Sequence, residues 1–194
     1  MYQDLFRDPN FWLFLLSVDR ELAETAHQKA CPCGGRLHRA NYARKPRGGP
    51  KDLPEEYRKR FSFCCDRDGC RKRVTPPSVR FLGPKVYLAA VVILVSAMRH
   101  GPSPRRVREL STRFGAHRRT IARWRVFWKK LFPHTEFWRG KSGRFMPPLD
   151  IAALPHSLLD RLLGSDDPCQ GWGRLLKFLS PITIAGGLRI KDLR

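Results

Sequence analysis

The sequence predicts a mainly α-helical fold that carries a small β ribbon. Apolar residues recur at helical spacing at the start of the chain, in its middle and near its end, while a short stretch around 57–65 alternates instead. Five of the six cysteines fall within residues 31–70, beside turn-forming Gly, Pro and Asp. With 194 residues, 42% hydrophobic and 28% charged, the composition is globular, with room for one ordinary domain or a few small ones and no single large core expected. The expected division is 1–30 (N-terminal amphipathic helix), 31–80 (ribbon), 81–139 (a helical unit) and 140–194 (linker and short C-terminal helices).

The first helix is expected over 10–29, where Phe11, Phe14, Leu15, Val18 and Leu22 make one face and Asp19, Arg20, Glu21 and Glu24 the other. Residues 36–42 and 57–65 read as the strands of a hairpin, joined by a Gly/Pro/basic loop through Pro54, with Phe61 and Phe63 alternating in the second strand. The apolar run 86–98, thirteen residues broken only by Ser96, is shorter than the roughly 20 a membrane span needs. It reads as a buried helix opened by Pro84 and stopped by Gly101-Pro102. Ser103 caps a second helix with Pro104 at its first position, Gly115 turns the chain, and a third helix follows over 117–131, ended by Pro133. These three helices make a compact trihelical unit. Residues 140–148 read as a linker, and 155–163 and 172–179 as short helices with too little apolar surface to fold alone.

Charge is concentrated where these motifs lie. The net formal charge is +21, distributed as −2 over 1–30, +9 over 31–80, +13 over 81–144 and +1 over 145–194. A polyanionic partner is expected at the middle of the chain, and the ends are expected to serve as scaffold or partner surface. The acidic opening lacks a basic n-region and a small-residue cleavage site, so a cytoplasmic, nucleoid-associated location without membrane contact is expected. In that compartment clustered thiols favour metal over disulfides.

A structural zinc site takes four soft ligands, supplied as two knuckles from tight turns. Cys31-Pro32-Cys33-Gly34 offers the first. Cys70 closes the second with Cys64 or Cys65, and strand alternation places Cys65 on the face of Phe61 and Phe63, so the expected ligands are Cys31, Cys33, Cys65 and Cys70, with C-x-C in place of the commoner C-x2-C. The ribbon is therefore expected to be a β zinc ribbon, its zinc structural and closed to water. His38 could substitute as a ligand, but a lone His in a basic hairpin more often sits at the surface. Cys169 stands apart as an ordinary thiol.

The second and third helices match a helix-turn-helix. Val107, Leu110 and Phe114 precede Gly115, and Ile121 and Trp124 follow at a helical interval, as two crossing helices with a positive-φ turn require. With Ile121, Trp124, Phe127 or Trp128 and Leu131 facing inward, His117, Arg118, Arg119, Ala122, Arg123 and Val126 are left exposed. Arginine bridges guanine O6 and N7, and a Thr or Ala methyl can meet a thymine methyl, so Arg118, Arg119 and Arg123 are the candidate base contacts, with His117 and Thr120 as further nucleic-acid-binding candidates. Arg105, Arg106 and Arg113 are better placed for phosphates. Between 105 and 130 there are ten Lys or Arg and one acid, Glu109, whereas a merely solvated face mixes signs. The segment 44–51 resembles an AT-hook whose second arginine is replaced by Gly49, which makes Arg44, Lys45 and Arg47 candidates for phosphate or minor-groove contact.

Together Cys31-Pro32-Cys33-Gly34, Cys64-Cys65-Asp66-Arg67-Asp68-Gly69-Cys70-Arg71 and Arg119-Thr120-Ile121-Ala122-Arg123-Trp124 resemble the N-terminal zinc-ribbon and helix-turn-helix region of bacterial insertion-sequence transposases, over about residues 28–132. The resemblance implies binding to terminal inverted repeats through Arg118, Arg119 and Arg123. Such transposases continue into an RNase H-like domain with three carboxylates and two metal ions; here about sixty residues follow, with Asp150, Asp160, Asp166 and Asp167 as the main acids, so no catalysis is expected. The expected function is zinc-stabilised, sequence-specific binding of double-stranded DNA, of transposon or regulatory type. Its rivals are an RNA-binding module of a ribonucleoprotein and a non-catalytic subunit of a transposase or nuclease assembly. Self-association or a partner protein would use the N- or C-terminal helices, although a core role is favoured for the first of them.

Overall fold

The chain opens on a helical turn, α1 (Tyr2–Leu5), and then α2 (Pro9–Gln28), whose start is fixed by Pro9 in the first turn and by the Asp8 carboxylate accepting the Asn10 N–H at 2.9 Å. The computed structural model describes residues 2–82, 87–97, 103–164 and 167–184. Phe11, Trp12, Leu15, Leu16, Val18 and Ala23 of α2 are buried. So is Asp19, which corrects its expected place on the polar face. Phe11, Leu15, Asp19 and Ala23 form an i, i+4 row, so Asp19 belongs to the apolar stripe by geometry.

Its carboxylate is saturated. Asp19 Oδ2 accepts from Arg80 Nε at 2.7 Å and from the Ser78 hydroxyl at 2.6 Å, and Oδ1 accepts from the Val79 N–H at 2.6 Å. Arg80 also donates to the carbonyls of Glu56 and Lys59 at 3.2 and 3.1 Å and lies over the rings of Tyr57, Phe61 and Phe81. Both side chains are fully buried. Their partners compensate the desolvation such a pair suffers, and the pair ties α2 to the far end of the ribbon.

The ribbon is a hairpin with a third strand. β1 (Leu37–Arg39) pairs antiparallel with β4 (Phe63–Cys65), with Leu37 opposite Cys65, and β4 pairs with β5 (Arg73–Val74). Farther along the hairpin β2 (Tyr42–Ala43) pairs with β3 (Lys59–Arg60). The ladder breaks at Ala40-Asn41, where Asn41 Oδ1 accepts the Ser62 N–H at 3.1 Å. Cys65 is buried beside Phe63, and Cys64 on the other face is half-buried.

The buried middle helix, α3 (Ala89–Ser96), is apolar all round. It starts later than expected. Tyr87 and Leu88 are extended and bridge Arg47 and Phe81, and Ala89 donates to the Arg80 carbonyl at 2.8 Å, so tertiary pairing overrides helix propensity there. Pro84, Met98 and Gly101-Pro102 lie outside the described residues. In α4 (Pro104–Phe114) the Ser103 hydroxyl accepts the Arg106 N–H at 3.2 Å, as the capping motif predicts. α5 (Arg118–Val126) runs on through a π-helical stretch, Phe127–Leu131, and a 3-10 turn, Phe132–His134.

Beyond it the expected linker is not loose. α6 (Glu136–Lys141) leads to a 3-10 turn, and Phe145 is buried, stacked on Trp138 and edge-on to Phe178. α7 (His156–Leu163) and α8 (Pro168–Leu179) pack together, and α8 reaches in two directions. Its Trp172 meets Phe6 and Phe11 at the N-terminal end of the chain, and its Phe178 meets Phe137 and Phe145 beyond α5. Buried residues from Phe6 to Ile182 therefore form one continuous cluster, a correction to the expectation that no large core forms. The described residues of the C-terminal segment, 140–164 and 167–184, supply the apolar surface that joins the two ends.

Candidate metal centre and nucleic-acid interface

Two turns carry the cysteines. In the first, Gly34 donates to the Cys31 carbonyl at 2.8 Å and Cys31 to the Gly35 carbonyl at 3.1 Å; in the second, Cys70 donates to the Arg67 carbonyl at 3.1 Å. Asp66 locks them together, its N–H donating to the Arg36 carbonyl at 3.0 Å and its Oδ1 accepting the Arg36 N–H at 2.9 Å. Arg67 reaches across to the Cys33 carbonyl. The sulfurs of Cys31 and Cys70 are 3.7 Å apart, those of Cys33 and Cys65 3.5 Å, and all four lie within 4.8 Å of one another.

These spacings discriminate between chemistries. A disulfide needs about 2.05 Å between sulfurs, whereas a tetrahedral cage with metal–sulfur bonds of about 2.3 Å sets them about 3.8 Å apart. The four cysteines named by the sequence form a cluster suited to a structural metal ion. Cys64 lies outside it and donates to the Arg71 carbonyl at 3.4 Å. His38 is also outside, exposed and 3.2 Å from the Asp66 carboxylate, which His38 and then the Arg36 N–H hold below its usual range. Cys33 is lowered to about 6, first by the Gly35 N–H and then by the Cys70 and Cys65 thiols. At Cys65 the Arg67 N–H acts to lower the value, but burial and the neighbouring sulfurs outweigh it and push the thiol up to about 12. Four thiolates this close repel one another, and a cation is what allows all of them to ionise together.

The second candidate surface lies on α4 and α5. Gly115 adopts φ 63°, the left-handed turn the motif requires. Leu110, Phe114, Ile121, Trp124 and Trp128 are buried, and Phe127 and Leu131 are half-buried. His117, Arg118, Arg119, Ala122, Arg123 and Val126 are exposed, Thr120 half-buried. The His117 ring accepts the Arg119 N–H at 3.2 Å and so caps the helix, and Arg123 lies 3.4 Å from the Thr120 hydroxyl. Arg105, Arg106 and Arg113 are exposed on α4, where Glu109 sits 3.1 Å from Arg105 and 4.0 Å from Arg106. Among the described residues no carboxylate pairs with Arg118, Arg119 or Arg123. A groove of about 740 Å³ separates the two helices, lined by Val107, Arg108, Ile121, Ala122, Arg125 and Val126 among others. Arg108 and Arg125 are additions to the expected set; their place in the run of arginines was the only sequence signal for them.

The hook-like segment is docked, not free. Arg47 bridges Tyr87, and its carbonyl accepts the Leu88 N–H at 3.1 Å. Arg44 lies over the Phe81 ring, while Lys45 and Arg47 are exposed. Tyr87, which no motif singled out, also donates its hydroxyl to the Gly115 carbonyl at 2.8 Å and sets its ring edge-on to Trp124. Among the described residues the C-terminal acids do not converge. Asp150 and Asp167 cap helical turns, Asp160 pairs with His156 at 3.3 Å, and Asp166 lies outside the described residues. The apolar faces of α2 and α8, the surfaces expected to take a partner, pack on each other through Phe11 and Trp172. No described helix is long and apolar enough to cross a membrane. No family model, curated protein or solved structure matches the chain.

Proposed function

We propose that this protein is a zinc-stabilised, sequence-specific binder of double-stranded DNA that reads the major groove with α5. One observation carries the reading: α5 buries Ile121 and Trp124 while its outer face presents Arg118, Arg119 and Arg123 with no acid among the described residues paired to them. A helix held by one face with guanidinium groups on the other has the geometry of a groove reader. Arg118, Arg119 and Arg123 supply base-edge contacts, and Arg105, Arg106 and Arg113 fix the helix on the backbone. Zinc suits four thiolates at these spacings, and holding it closed leaves no position for water. The function is therefore binding without catalysis, of the transposon or regulatory type that the motifs resemble.

Competition among duplex DNA, single strands and structured RNA tests the reading, with the duplex expected to win. RNA binding has one observation in its favour: Tyr42 is exposed on the ribbon with Arg73 5.8 Å from its ring centre, an arrangement on which an unpaired base can stack. A clear preference for RNA would replace the duplex reading with that one. Elemental analysis is expected to find one zinc per chain, and incubation of DNA with Mg²⁺ and the purified protein is expected to leave it uncut.

A further inference from the structure

The hairpin loop bounds a cavity of about 560 Å³, lined by Arg44, Lys45, Lys51 and Arg58 with Pro46, Gly49, Pro50, Leu53 and Leu88. Among the described lining residues four are cationic and none is acidic. Ordinary surface pockets mix signs, as the groove between α2 and the hairpin does with Arg20, Glu21, Glu24 and Glu56. The nearest acids in sequence do not line the cavity: Glu55 pairs with Lys59 at 3.0 Å and lies within the field of Arg58, Glu56 pairs with Arg20, and Asp52 is exposed.

The loop is also anchored. A side chain at Gly48 would come within 2.9 Å of Val91, and one at Gly49 within 2.7 Å of Leu88, so both residues press the backbone onto the start of α3. Tyr87 then links this seat to the helix-turn-helix. Its backbone pairs with Arg47, its hydroxyl donates to the Gly115 carbonyl and its ring rests on Trp124 of α5. The cavity and the N-terminal end of the reader helix thus flank one side chain, fixed in relation to each other by strand pairing on one side and a hydrogen bond on the other.

We propose that this cavity is a phosphodiester-binding site for the backbone of the same duplex that α5 reads, held in register with the reader by Tyr87. The inference rests on the duplex-binding reading above. Lys and Arg converging on a cavity with no acid in its lining match a doubly coordinated phosphate oxygen pair, and a rigid spacing lets two modest contacts act as one.

The test measures affinity for two labelled duplexes of about 20 base pairs, two helical turns, one of random sequence and one selected for binding to the full chain, between about 50 and 200 mM salt. The proteins compared are the full chain, the double variant Lys51→Ala/Arg58→Ala and the reader variant Arg119→Ala. Lys51 and Arg58 are both exposed, and the hydrogen bond of Arg58 to the hairpin runs through its carbonyl, so thermal melting is expected to change little in the double variant. That variant should weaken binding equally on every sequence and flatten the log–log salt slope by about 1 to 2, one unit for each phosphate no longer neutralised. If the parent binds duplex and Arg119→Ala weakens it while the double variant keeps the parent slope, the cavity assignment fails and the reader stands. If the parent binds no duplex at any salt, both fail. A third arm titrates inorganic pyrophosphate; displacement of duplex from the parent but not from the double variant supports the site. Pyrophosphate binding that depends on Lys51 and Arg58 but leaves duplex affinity untouched overturns it in favour of a free phosphate ligand.

Discussion

The ribbon and the α4–α5 pair are held by opposite means. The ribbon's strands are two or three residues long, and its order comes from point fasteners: four sulfurs at one end and the Asp19–Arg80 pair at the other. The α4–α5 unit is held by distributed packing of Leu110, Phe114, Ile121, Trp124 and Trp128, with Arg118, Arg119 and Arg123 left at the surface. In the first region stability and chemistry occupy the same atoms. In the second they occupy opposite faces of one helix, which leaves the outer face free to specialise.

The largest expected effect tests that contrast at the metal. Cys65→Ser, or treatment with a strong chelator, should collapse the ribbon, because the proposed structural zinc would contribute folding free energy on the order of 10 kcal/mol. Circular dichroism should keep most of the helical signal, while hydrogen exchange across 37–74 should lose protection. Cys64→Ser should change neither, since that thiol meets only backbone carbonyls. Equal damage from the two serines would mean that the sulfur cluster is not what holds the ribbon.

Next in size is the other fastener. Asp19→Ala leaves the Arg80 guanidinium buried and unpaired, which costs about 3–5 kcal/mol. The double variant Asp19→Leu/Arg80→Met removes both charges and should recover most of that loss in denaturant unfolding. Failure of the double variant to recover would show that the carbonyl and ring contacts of Arg80, not its pairing with Asp19, hold the site. At the reader the expectation reverses. Arg119→Ala should shift stability by no more than about 0.5 kcal/mol yet weaken specific duplex binding by about 1–3 kcal/mol. A melting shift as large as the binding loss would erase the contrast between the regions.

The contrast also explains what was legible in the sequence. Strand alternation separated Cys65 from Cys64 because a two-residue period leaves one cysteine on each face. The spacing of Leu110, Gly115, Ile121 and Trp124 reported a packing geometry that is local in sequence. Asp19 was half legible: its i, i+4 row with Phe11, Leu15 and Ala23 marks a buried position, but nothing local distinguishes Arg80 as its partner among 38 Lys and Arg. The start of α3 was obscured for the same reason, since Tyr87 and Leu88 are drawn out of the helix by residues about 40 and 7 positions upstream. The role of 140–184 was also hidden. Its helices look too thin to fold alone, and their apolar faces are completed by Phe6, Phe11 and Phe137.

Tyr87 belongs to neither region, and the smallest expected effect lies there. Tyr87→Phe keeps the ring against Trp124 and the bridge to Arg47 but leaves the Gly115 carbonyl without its donor. A half-buried acceptor that loses one neutral hydrogen bond costs about 1 kcal/mol. Because Gly115 ends α4 and Ala116 and His117 begin the approach to α5, the loss should appear as faster amide exchange around 115–119 with the ribbon amides unchanged. If exchange rises across 37–65 as well, Tyr87 carries strain between the two regions, and they form one cooperative unit. If it rises only at the turn, the point-fastened ribbon and the packed reader open independently, with Tyr87 setting their spacing and not their stability.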